Sequence, residues 1–96
     1  MRLHQAERLR ASVVRLAAEF LERNRGNGLV TVRGAQIGDN GKSAIIFIIV
    51  YPIEAEEKAL RETKFLRSEL RGFLDARLRG HSLTHVDFAL DKQVLL

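Results

Sequence analysis

The chain predicts an α+β domain in the order α–β–β–α–α–β, with its helices on one face of a three-stranded sheet. Three observations carry that reading. A long amphipathic segment opens the chain, two β-rich segments follow around a glycine-bearing turn, and helical periodicity then returns before a short closing strand. A single domain spanning 1–96 follows from the length of 96 residues, because a second domain of this size could not bury a core of its own.

Residues 3–23 form the first helix. Leu3, Ala6, Leu9, Val13, Leu16, Ala17 and Phe20 recur at three- and four-residue steps, which gathers them on one face. Arg8, Arg15, Glu19, Glu22 and Arg23 fall largely on the other side, and Glu19 and Arg23 are spaced to pair at i,i+4. Residues 24–28 stop the helix, since two asparagines and two glycines supply the positive φ that a stop needs.

Residues 29–37 make the first strand, with Val30 and Val32 alternating against Thr31 and Arg33. Gly38-Asp39-Asn40-Gly41 supplies the turn, and residues 42–51 return as the second strand. From Ala44 to Val50 that strand shows no polar alternation, so it is central in the sheet or has its second face covered, by the first helix and a tail or by a second molecule. Pro52 ends it by withholding a ladder donor.

A helical region opens at Glu54, where Glu54, Glu56 and Glu57 suit the positive end of a helix dipole. Ala55, Ala59, Leu66, Leu70 and Phe73 or Leu74 make its buried face, and Gly72 and Gly80 are the expected break points. Residues 83–90 form the last strand, with Val86, Phe88 and Leu90 on one face. A strand returning after a helical crossover of this length can lie parallel to its neighbour.

Composition excludes several functions. The absence of cysteine removes disulfides and thiolate metal sites. The N-terminal residues are charged throughout and lack the apolar stretch of a signal peptide, and the apolar run 44–51 is about half of what a membrane helix needs, which points to a cytoplasmic protein without membrane attachment. Ser12, Ser43, Ser68 and Ser82 sit in no nucleophile motif, and no phosphate-cradling glycine loop precedes a helix and a lysine. His81 and His85 are four apart in a turn-to-strand region with no third ligand nearby, so they read as turn or surface histidines. The expectation is a non-enzymatic protein with no cofactor, no metal and no small-molecule substrate.

Charge carries the positive signal. The chain has a net charge of +4. Residues 58–81 hold seven Lys or Arg against Glu62, Glu69 and Asp75, so this segment equals the whole molecule's excess. Lys58, Arg61, Lys64, Arg67 and Arg71 lead it, and the last four fall within a helical sector of roughly 120°. Arg77 and Arg79 extend the charge into the next turn. These seven are the candidate RNA-binding residues, because clustered cations bind phosphates through counterion release. The competing reading is a solvated helix face with pairs such as Lys58–Glu62. Gly38-Asp39-Asn40-Gly41 matches the GxxG loop of KH domains, but that loop joins two helices and here the segment joins two strands, so it reads as a hairpin turn. Phe20, Phe47, Phe65, Phe73 and Phe88 mostly take core positions, which argues against base stacking.

The order of these segments resembles the ribosome-binding factor A family over about residues 8–92. Residues 28–32, GLVTV, are similar to its first strand. Asp39, Lys42 and Ala44 stand near its D-x-S-x-A pattern, and residues 65–70, FLRSEL, resemble its FIRSEL. Arg77-Leu78-Arg79 resembles its RLR run, and residues 86–91 resemble its L-x-F-x-x-D ending. The resemblance implies a KH-like fold and a factor that binds the small ribosomal subunit, assists late maturation of small-subunit rRNA and has a role in cold adaptation. The chain departs from the pattern in four places. Glu62-Thr63-Lys64 replaces the Ala-x-Gly that kinks the two helices, so the kink is expected to be absent or moved to Gly72. The span 65–91 is longer by about one helical turn. Thr84-His85 replaces a Pro-Glu pair, and the second strand lacks the family's alternation. Two alternatives stand beside this reading: a protein-interaction module using the apolar second strand, and a generic KH-like domain binding other RNAs. A monomer is expected, with a dimer through the apolar sheet as the alternative.

Overall fold

The computed structural model describes residues 3–24 and 29–92, with the side chains of the first helix described from Gln5 onward. Helix α1 (Leu3–Arg23) precedes strands β1 (Leu29–Ile37) and β2 (Ser43–Tyr51). A 3-10 turn at Ile53–Ala55 leads into helices α2 (Glu56–Phe65) and α3 (Arg67–Arg77), and β3 (His85–Leu90) closes the order. The sheet runs β1-β2-β3, with β1 antiparallel and β3 parallel to β2. The apolar second strand is therefore central, and the crossover through α2 and α3 delivers β3 in the parallel sense.

Periodicity explains α1. Leu9, Val13, Leu16, Ala17 and Phe20 are buried along one stripe, while Glu19 and Arg23 pair at 2.9 Å on the outside. Asn24 caps the end, its side-chain amide donating to the Phe20 carbonyl at 2.9 Å. The rest of the expected stop, residues 25–28, lies outside the described residues.

A bulge reconciles the first strand with the core. Pairing slips between Val32 and Gly34, so that one residue is inserted at Arg33. Without it Gly34 and Gln36 would face inward; with it Val30, Val32, Ala35 and Ile37 all pack against the core. The turn 38–41 is a hairpin turn as expected. The Gly41 amide donates to the Gly38 carbonyl at 2.8 Å, Gly41 has φ +72°, and the Lys42 amide donates to Asn40 Oδ1 at 2.9 Å. A Cβ on Gly38 would run into the Ser43 side chain.

The helices cover one face of the sheet. Ala44, Ile46, Ile48 and Val50 of β2 join Val86 and Phe88 of β3 beneath α1, α2 and α3, in one cluster with Leu70 and Leu74. The second face of β2 is not covered by the first helix. Ile45 and Ile49 are 36% and 39% exposed there, beside Tyr51 and Leu29. Arg33 reaches across that open face from β1 to within 3.7 Å of Asp91, just past β3.

The second helical region differs most from the sequence reading. The break falls at Leu66 (φ −91°, ψ +4°), and Gly72 lies inside an unbroken α3. The Leu66 amide still donates to Thr63, at 2.9 Å, while the Leu66 carbonyl accepts the first bond of α3 from Leu70 at 2.8 Å. A single residue thus separates the helices, without the Ala-x-Gly of the family pattern. Gly80 (φ +76°) does serve in the turn after α3. The last strand starts at His85 rather than Leu83, because the Thr84 and His85 amides both donate to the Lys42 carbonyl and hold the chain beside the hairpin turn.

Candidate nucleic-acid interface

The break at Leu66 builds the site. It puts Lys64 at the end of α2 and Arg67 at the start of α3, both beside β3, which is an edge strand. Lys64 Nζ lies 2.9 Å from Asp87 Oδ1 and Arg67 Nη1 lies 3.4 Å from the same atom. Arg67 Nε also donates to the Lys64 carbonyl at 3.0 Å, which ties the two helix ends together. Arg71, one turn further on, donates to the Thr84 carbonyl at 3.4 Å. These cations therefore shield the open edge of β3, a structural use of charge.

Asp87 is the centre of that arrangement. Partial burial pushes its carboxyl up. Hydrogen bonds from Lys64 and the Phe88 amide, together with the charges of Lys64 and Arg67, outweigh burial and hold it below its ordinary value. A cleft of about 270 Å³ opens alongside, lined by Arg67, Ser68, Arg71, Thr84 and His85.

Phe65 changes the reading of the junction. It was expected in the core, yet it is 86% exposed, one residue before the break and flanked by Lys64 in the sequence. A signal for this was present. Ala59, Thr63, Leu66, Leu70 and Leu74 fall on one stripe, and Phe65 lies about 140° from its centre. An aromatic ring so far off the buried stripe has nothing in the core to reach.

The seven candidate cations do not form one patch. Lys64, Arg67 and Arg71 gather at the junction, while Lys58 and Arg61 stay exposed on α2 without an ion pair to a described residue, the expected Lys58–Glu62 pair included. Arg77 and Arg79 sit at the far end of α3. Arg77 donates to the Phe73 carbonyl at 3.2 Å and lies over the Phe73 ring, 3.6 Å from its centroid. Arg8 and Arg15 of α1, which the sequence reading left on a solvated face, line the same cleft as Arg77 and Arg79. Their spacing with Ser12 at i, i+4, i+7 is a stripe of its own and was legible. His81 faces this second cleft and His85 the first, so the two histidines do not converge. Among the described residues no group of three or more His, Cys, Asp or Glu could hold a metal, and no helix is long and apolar enough to cross a membrane.

An α–β–β–α–α–β chain with one helix-to-helix junction beside a parallel edge strand is a KH-like domain. Within that class it resembles ribosome-binding factor A. The crystal structure of ribosome-binding factor A from Thermus thermophilus matches with a TM-score of 0.79 at 23% identity, over 88% of this chain and 94% of that one. The solution structure of a Thermotoga maritima protein, proposed to be a ribosome binding factor A, matches with a TM-score of 0.80 at 17% identity, over 98% of this chain and 93% of that one. The chain matches no protein-family model, and no curated protein matches it significantly in sequence. The likeness is one of fold. The most specific of the sequence resemblances, residues 65–70, straddles the break at Leu66.

Proposed function

We propose that the protein is a non-enzymatic ribosome assembly factor whose single domain, residues 1–96, binds the small ribosomal subunit in the cytoplasm and assists late maturation of small-subunit rRNA. The observation that carries this reading is the junction. KH domains clamp a nucleic-acid backbone where two helices meet, and here that place presents an exposed Phe65 between Lys64 and Arg67, beside a cleft bounded by Arg71. The fold shared with two ribosome-binding factor A structures supports the choice of partner, as does the FLRSEL segment. A role in cold adaptation belongs to the same reading. Lys58, Arg61, Arg77 and Arg79 are proposed as further RNA contacts around the junction residues.

Co-sedimentation with free small subunits, with large subunits as control and across a salt series, tests it. Selective binding that falls tenfold or more with rising salt is expected, as for several phosphate contacts. Arg67→Glu with Arg71→Glu should abolish that binding at an unchanged melting temperature. Equal binding to both subunits, or to naked RNA of any kind, would replace the proposal with a generic RNA-binding domain.

A second reading rests on the open sheet face, where Ile45, Ile49, Tyr51 and Leu29 expose apolar surface. It makes the protein an interaction module or a dimer. Its mark is salt-insensitive association lost in Ile45→Lys, whereas a sedimentation mass that stays monomeric at all concentrations removes the dimer.

A further inference from the structure

We infer that the cleft between α1 and the end of α3 is a second phosphate-binding site, separate from the junction. Arg8, Ser12 and Arg15 form one wall, Arg77, Arg79 and His81 the other, around a volume of about 310 Å³. Leu9 and Leu78, both buried, also line it, so an apolar base underlies a cationic rim. Four guanidinium groups and no carboxylate line the space.

The charges there lack the partners that the junction supplies. Arg8, Arg15 and Arg79 make no ion pair or hydrogen bond with a described residue. Bringing four like charges to one cleft is unfavourable in the free protein, and an anion relieves it. Nothing in the packing of α1 against α3 requires these side chains, since the contact is made by Phe20 and Phe73 at 5.4 Å between ring centroids. One of the four is already oriented. Arg77 is held by the Phe73 ring beneath it and by the Phe73 carbonyl, so less freedom is lost when it binds.

Guanidinium forks donate paired hydrogen bonds to phosphate oxygens, and Ser12 adds a hydroxyl between Arg8 and Arg15. The negative end of the α3 dipole opposes an anion here, but with about half a charge it is outweighed by four arginines. A volume at the small end of ligand sites suits one or two phosphate groups. Phosphate chemistry has two sources, the backbone of bound RNA and a free oligophosphate. As an RNA contact the cleft rests on the proposed function and adds an anchor at the opposite end of the 11-residue α3, about 15 Å from the junction.

The test uses Arg15→Gln with Arg79→Gln, both exposed in the native fold, and two probes: inorganic triphosphate, and a labelled single-stranded RNA titrated over a salt series. If the backbone fills the cleft, the variant's log–log salt slope for RNA should be shallower by about 1.4, two contacts at ~0.7 each. If a free oligophosphate fills it, triphosphate binds the native protein and the variant loses that binding tenfold or more, with the RNA slope unchanged. Restoring charge with Arg15→Lys and Arg79→Lys should recover part of either effect. An unchanged RNA slope together with unchanged or absent triphosphate binding overturns the site. The triphosphate arm needs no ribosome, and a native protein that binds triphosphate but no RNA would fail the assembly-factor reading while upholding the cleft.

Discussion

The two ends of α3 carry similar cations in different states. At the N-terminal end Lys64 and Arg67 share Asp87, and Arg71 donates to a backbone carbonyl, so each already has a task in the fold. At the C-terminal end Arg79 faces Arg8 and Arg15 across a cleft, and none of the three has a partner among the described residues. Counting lysines and arginines along the sequence merges the two ends. Phosphate must compete with Asp87 at the first, while at the second it meets only cations.

Four substitutions break or sharpen that contrast. Leu70→Ala has the largest expected effect. Leu70 is fully buried on the helix that carries both ends, so its loss should cost about 2–5 kcal/mol of stability and weaken RNA binding at both, as read by denaturant unfolding beside an RNA titration. Phe65→Ala comes next and belongs to the junction alone. Exposed as it is, Phe65 should add little to stability, within about 0.5 kcal/mol, while its loss should cost about 1–3 kcal/mol of binding if an unpaired base stacks on it. A binding constant unmoved by Phe65→Ala would return the junction to backbone contacts only.

Asp87→Asn separates structural from ligand-binding use of charge. The native carboxyl is held below its ordinary value, so its contribution is present above about pH 4 and is lost as pH falls through the lowered value. The variant should lose that part of the acid-side dependence and, with pairs this exposed to solvent, no more than about 1 kcal/mol at neutral pH. Releasing Lys64 and Arg67 should also tighten RNA binding severalfold at low salt; weaker binding would mean that Asp87 orients them for the ligand. Gly72→Ala has the smallest effect and the opposite sign. A Cβ there meets nothing within 4 Å inside an unbroken helix, so the variant should melt higher, by about 0.5–1 kcal/mol of added stability. Lower stability would place a bend at Gly72 after all.

Much of the fold was legible in the residues, and the reasons are local. The limits of α1 and β1 coincide with their hydrophobic patterns, and the unbroken apolar run of β2 marked it as central before its neighbours were known. The α2–α3 break was not legible at its true position. Ala59, Thr63, Leu66, Leu70 and Leu74 would make one stripe on a straight helix just as well, so spacing gave no warning, and Gly72 drew the break by its intrinsic cost alone. The bulge at Arg33 was equally hidden, although the shift from Val30 and Val32 to Ala35 and Ile37 required an inserted residue once one face had to be buried.

The candidate site divides along the same line. That cations gather after residue 57, that α1 carries Arg8, Ser12 and Arg15 on one stripe, and that no thiolate chemistry is available are properties of the chain itself, set by residue identity and helical spacing. Which cations are neutralised by Asp87, which face one another across a cleft, and that Phe65 stands in solvent depend on how α2, α3 and β3 pack. Charge pairing falls off over a few ångströms and apolar burial needs a partner surface, so neither could be read before residues as distant as Lys64 and Asp87, or Arg8 and Arg79, were brought together.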